Sequence, residues 1–102
     1  GKVNAAVTAT LLIDKYDIDE VIFSGVAGAL AKAVGIGDIV IADDVVQHDF
    51  EVEAFGYKKG QIPQMEVWSF KGDEDLIKKV KKTSYDEIKL HYGRILTGSV
   101  YI

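Results

Sequence analysis

Val21-Ile22-Phe23-Ser24-Gly25-Val26-Ala27-Gly28-Ala29-Leu30 is the stretch whose reading decides the fold. Two β-branched residues and an aromatic follow the acids Asp17, Asp19 and Glu20, which reads as a buried parallel strand entered from a polar turn. Gly25 and Gly28 then allow the backbone to turn sharply and to approach a ligand closely. In open α/β sheets ligands lie beyond the carboxyl ends of the strands, which is where this turn falls. The spacing Gly-x-x-Gly fits equally a strand-exit turn whose glycines serve geometry alone.

On the amino-terminal side, residues 2–16 read as a helix. Val3, Val7 and Leu11 recur every four residues with Leu12 close by, while Ala5, Ala6 and Ala9 keep part of the surface small enough to pack on a sheet. Gly1-Lys2 leaves amides at the helix start that suit an anion or a hydroxyl, or simply a helix entry. On the other side, Gly35 and Gly37 close a loop over 31–37. Residues 38–46 then read as a second strand that Asp43-Asp44 bends or leads out of the core.

Residues 47–63 form the most unusual segment: His48-Asp49, then Phe50, Val52, Phe55 and Tyr57, then Gly60 and the only proline, Pro63. A loop of this length carrying aromatics is a candidate for cover by a partner subunit or an apolar ligand, the alternative being that it folds back on its own core. Residues 65–70 read as a short extended segment and 72–88 as a second helix. Asp73, Glu74 and Asp75 occupy its first turn and lysines follow, in the sense the helix dipole favours. Residues 93–102 read as the last strand.

The whole has 102 residues, 48% of them hydrophobic, and a net charge of −4. A length of 102 residues admits one domain. Its nearly continuous apolar runs suit a sheet covered on both faces, which takes more chain than this. We therefore expect a single incomplete α/β domain over 1–102, the middle of a larger one. Negative charge gives no footprint for nucleic acid. There is no cysteine, hence no disulfide and no thiolate metal site. No run reaches membrane-spanning length, so a cytoplasmic protein is the expectation. His48 and His91 stand in no zinc motif, there is no serine elbow and no P-loop, and Gly35-x-Gly37 leads into a strand rather than a helix. We expect no metal and no cofactor.

Several segments in register resemble one known family: Gly1-Lys2-Val3-Asn4-Ala5-Ala6, the Ser24–Leu30 turn, Gly37-Asp38-Ile39-Val40-Ile41-Ala42-Asp43, His48-Asp49 through Ala54-Phe55-Gly56-Tyr57, Gly60-Gln61-Ile62-Pro63 and Phe70-Lys71-Gly72-Asp73-Glu74. Together they resemble the 5′-methylthioadenosine/S-adenosylhomocysteine nucleosidases of the purine nucleoside phosphorylase superfamily. The resemblance implies a three-layer α/β sandwich with a mixed central sheet, usually a homodimer, acting in methionine salvage. It implies hydrolysis of an N-glycosidic bond through a ribosyl cation, with an aspartic acid protonating the adenine and glutamates handling water and ribose. Those three carboxylates fall outside residues 1–102, so no catalytic residue is assigned, and Asp43, Asp44 and Asp49 are not put in their place.

Binding residues do carry over from the resemblance. Val26, Ala27 and Gly28 match the turn beside ribose and base, Tyr101 the aromatic that stacks on adenine, and Ile102 the residue whose backbone bonds the base edge. Val52, Phe55, Tyr57 and Pro63 match the loop that crosses the dimer to cover the alkylthio group, which makes 47–63 the expected dimer contact. The family's usual Gly-Asp-x-Phe-Ile is here Gly98-Ser99-Val100-Tyr101-Ile102. Where phosphorolytic members carry an arginine and a hydroxyl around the first glycine, this chain has Phe23 and Val26, which favours water over phosphate as nucleophile. The alternatives are another purine nucleosidase or phosphorylase of the superfamily, or a noncatalytic nucleoside-binding or dimerisation module.

Overall fold

The computed structural model describes residues 1–49, 69–83 and 86–100. In chain order they form α1 (Lys2–Lys15), β1 (Ile39–Gln47), β2 (Phe70–Lys71), α2 (Glu74–Lys81) and β3 (Leu90–Thr97). The three strands make one mixed sheet in the order β2-β1-β3, with β1 antiparallel to β2 and parallel to β3. The mixed α/β class expected from the sequence is what the structure shows.

β1 is the hub because it pairs with β3 along one side and with β2 along the other. Ile39, Val40 and Ile41 pair in register with Leu90, His91 and Tyr92, and Val45 lies between Ile95 and Phe70. Val46 is the core residue of the described chain, at 4% exposure. Asp43-Asp44 interrupts the ladder but does not lead the strand out of the core, since β1 runs on to Gln47 and Val46 is buried. The register slips between Ala42 and Asp44, so a bulge absorbs the extra residue. Asp44 then comes directly opposite Arg94, which grips it through Nε at 2.8 Å and Nη2 at 2.7 Å. That paired fork holds the Asp44 carboxyl below the usual carboxylate range and lifts the guanidinium. The Asp43 carbonyl accepts from Gly72 N–H at 2.8 Å, tying β1 to the entry of α2. Glycine is required there, since a Cβ at 72 would stand 2.5 Å from the Ala42 carbonyl oxygen.

α2 starts where an N-cap is found: Asp73 accepts from Leu76 N–H at 3.0 Å, with Glu74 and Asp75 in the first turn. It ends at Lys81, short of the expected 88. Thr83 bonds back through its hydroxyl to Lys79 O at 3.0 Å and through its amide to Val80 O at 3.1 Å, which tightens and closes the last turn. Leu76, Ile77 and Val80 are its half-buried side. Lys81 lies 4.9 Å from the centre of the Tyr92 ring, a cation–π contact between α2 and β3. β3 begins three residues before the expected 93, because Leu90, His91 and Tyr92 already have partners in β1.

α1 forms as read, ending at Lys15 with Tyr16 extended and its amide on Leu12 O at 3.0 Å. It has no side-chain N-cap and no buried residue. Val3, Val7 and Leu11 are exposed, as are Leu12 and Ile13 off that stripe. Apolar residues spread this far round a helix suit cover from more than one side.

The expected strand over Val21-Ile22-Phe23 requires correction. Residues 17–30 carry no helix or strand, and Val21, Ile22 and Phe23 are 58%, 78% and 80% exposed. The residues have strand propensity, but a central strand exists only through its ladder, and among the described residues none pairs with them.

Candidate functional site

β1 and β3 run side by side and finish together at Gln47 and Thr97. The end of a parallel pair is where α/β sheets place ligands, and here it is built from side chains of three segments. His48 N–H donates to Thr97 O at 2.9 Å, extending the ladder by one bond. Beyond it the ladder gives way to a carboxylate. Asp49 Oδ2 accepts the Ser99 backbone N–H at 2.6 Å, and its Oδ1 accepts from Gln47 Nε2. Lys2, the first residue of α1, reaches across and donates from Nζ to Ser99 Oγ at 2.6 Å. Between these bonds the His48 ring lies against Gly98, where a Cβ would come within 2.8 Å of His48 Cδ2.

The electrostatics decide what Asp49 can do. The Ser99 N–H, then the Gln47 amide, with the charge of Lys2 behind them, hold its carboxyl below the usual range. A general acid needs a pKa near the working pH. Asp49 is instead an ionised acceptor with both oxygens engaged, so it anchors backbone and does not deliver protons.

The opposite end of the ladder carries a second aspartate. Asp38 Oδ2 accepts from Gly35 N–H and from His91 Nε2–H, both at 2.9 Å, and the Gly35 bond is the main cause of its lowered pKa. This end closes the 35–38 turn, lies away from the ligand side, and has a structural explanation.

The structure treats the expected binding residues unequally. Val26, Ala27 and Gly28 lie in the exposed 17–30 segment; Val26 is fully exposed, and a Cβ at Gly28 would meet nothing within 4 Å. Val52, Phe55, Tyr57, Pro63, Tyr101 and Ile102 lie outside the described residues. What sequence reasoning missed is the set Lys2, Gln47, Asp49 and Ser99. Its one visible signal was a run of polar side chains, Gln47-His48-Asp49, directly at a strand's end. Among the described residues no group of three or more His, Asp or Glu is placed to hold a metal ion, and no helix is long and apolar enough to cross a membrane.

Comparison with known proteins gives this geometry a lineage. The family model described as the phosphorylase superfamily matches residues 1–102. The chain belongs to that superfamily. Within the phosphorylase superfamily, it is 44% identical over 106 aligned residues to the 5′-methylthioadenosine/S-adenosylhomocysteine nucleosidase of Staphylococcus haemolyticus, covering all of this chain and 45% of that one. Its fold superposes on the nucleosidase of that name from Neisseria meningitidis, solved with methylthio-immucillin-A, at a TM-score of 0.91 and 38% identity, covering 100% of this chain and 45% of that one. It also superposes on a futalosine hydrolase mutant of Helicobacter pylori at a TM-score of 0.88 and 34% identity, covering 100% of this chain and 46% of that one. The chain thus spans about half the length of these superfamily relatives.

Proposed function

We propose that residues 1–102 are the middle portion of a nucleosidase that hydrolyses the N-glycosidic bond of 5′-methylthioadenosine and S-adenosylhomocysteine and releases adenine. The observation that carries this reading is similarity along the whole chain to nucleosidases of that name, in sequence and in backbone. The site is the carboxyl end of β1 and β3, from which the chain passes directly into Tyr101 and Ile102. In this reading Tyr101 stacks on the base and Ile102 bonds its edge, while the 26–28 turn lies beside the ribose. A flat aromatic holds a base in plane without fixing its protonation state. The protonating aspartic acid and the two glutamates come from chain outside this segment, and no cofactor enters the reaction.

Water rather than phosphate is the nucleophile in this reading, because Phe23 and Val26 offer neither a cation nor a hydroxyl where a phosphate would need them. A homodimer through 47–63, with Val52, Phe55, Tyr57 and Pro63 covering the alkylthio group, belongs to the same proposal, as do a role in methionine salvage and a cytoplasmic location. The test is adenine release by the full-length reading frame containing this segment. We expect release from 5′-methylthioadenosine at a rate that added phosphate does not raise, and none from residues 1–102 alone. Phosphate-dependent release would replace hydrolysis by phosphorolysis. The likeness to a futalosine hydrolase supports a second reading, a hydrolase of a related nucleoside, so futalosine belongs in the same assay.

A further inference from the structure

Two hydrogen bonds converge on Ser99, two residues before Tyr101, and a third steers one of its partners. Ser99 gives its amide to Asp49 at 2.6 Å and receives Lys2 Nζ on its hydroxyl at 2.6 Å, and Asp49 is itself steered by the Gln47 amide. These bonds join positions 50 and 97 residues apart in the chain. They sit where the β1–β3 ladder has ended, so backbone pairing no longer fixes the direction of the strand that leaves. Something else must set it, and the only described groups bonded to 98–100 are these. We infer that Asp49 is a positioning residue: it captures the Ser99 amide and so sets the direction in which residues 98–100 leave β3, on the side that the nucleosidase reading gives to the purine ring, with Lys2 bracing the same residue from α1. The inference rests on the nucleosidase reading for the identity of the ring, but the capture itself does not.

An ionised carboxylate accepting a backbone N–H is stronger than a neutral acceptor, and both Asp49 oxygens are already directed. Its depressed pKa agrees with that engagement. Asparagine keeps one acceptor oxygen for Ser99 and presents its NH2 to a Gln47 side chain that can turn its carbonyl round, so Asp49→Asn retains the geometry at reduced strength. Alanine removes the acceptor altogether.

The experiment uses the full-length protein and two independent readouts: amide hydrogen exchange at Ser99, and KM and kcat for 5′-methylthioadenosine. Asp49→Ala is expected to speed Ser99 exchange and to raise KM about tenfold, with kcat changing less than about threefold, the scale of one charge-assisted hydrogen bond lost from a partly exposed site. Asp49→Asn restores most of both, and Ser99→Ala, which removes only the Lys2 bond, has the smaller effect on KM. Unchanged Ser99 exchange in Asp49→Ala overturns the inference, as does faster exchange with unaltered KM. A fall in kcat alone, with KM held, also overturns it, since that would make Asp49 part of the chemistry. If Asp49→Ala fails to fold, Asp49→Asn decides: exchange and KM both equal to wild type, or an uncoupled change in only one of them, overturns the inference, and a parallel rise in both supports it. If the wild-type protein releases no adenine, the nucleosidase reading fails while the exchange measurement still decides the capture.

Discussion

Two apolar runs in this chain look alike and behave differently. Ile39-Val40-Ile41 is a strand with partners on β3, whereas Val21-Ile22-Phe23 has no ladder among the described residues and stands exposed. Their strand propensities are comparable, and both border polar residues and glycines. What separates them is company. The first run finds Leu90-His91-Tyr92 in register alongside, with an Asp38–His91 bond pinning the start and a bulge with an Asp44–Arg94 fork further along. The second finds nothing among the described residues. A strand is a property of a pair, so apolar content proposes strands and pairing disposes of them.

That contrast can be broken most forcefully at Phe23. In the full-length protein, where we expect further chain to cover 17–30, Phe23→Ala should cost about 3 kcal/mol or more in urea unfolding, the usual cost of emptying an aromatic site. A cost below about 0.5 kcal/mol would mean that the run is a surface loop in the intact protein too. Next in size is Val46→Ala, at the one residue of the described chain that is already buried. A loss of about 2 kcal/mol is expected from the area and packing removed, read from the same denaturation midpoints. Equal costs at both positions would show the two regions to be one core.

The smallest effect sharpens the comparison through pH. The lowered carboxyls of Asp38, Asp44 and Asp49 all lie on the sheet and its two ends. A carboxyl whose pKa is depressed on folding stabilises fully above its unfolded value and loses that contribution as pH falls through the folded one. Tm should therefore hold down to the ordinary carboxylate range and decline below it. Replacing all three by asparagine should flatten that decline while lowering Tm at neutral pH. A slope that survives the triple replacement would assign acid sensitivity elsewhere.

Much of the binding-residue assignment came from resemblance, and the structure leaves Tyr101 and Ile102 outside the described residues. The anchor that precedes them was invisible for a different reason. Asp49 and Ser99 are fifty residues apart, and no spacing rule links them until the parallel register of β1 and β3 brings Gln47 opposite Thr97. Asp44 and Arg94 were hidden in the same way, since only the one-residue slip at the bulge places them across from each other.

Local chemistry was enough to fix α1, the start of β1 after Gly37-Asp38 and the Asp73 cap of α2, because helix periodicity, turns and caps act over three or four residues of the chain itself. Only the folded chain decided which apolar run became a strand, which acids found a partner and how the exit of β3 is held. The β1–β3 pairing, the Asp44–Arg94 fork and the Asp49–Ser99 bond are contacts across fifty or more residues, whose entropy of closure is met only when the whole ladder forms at once.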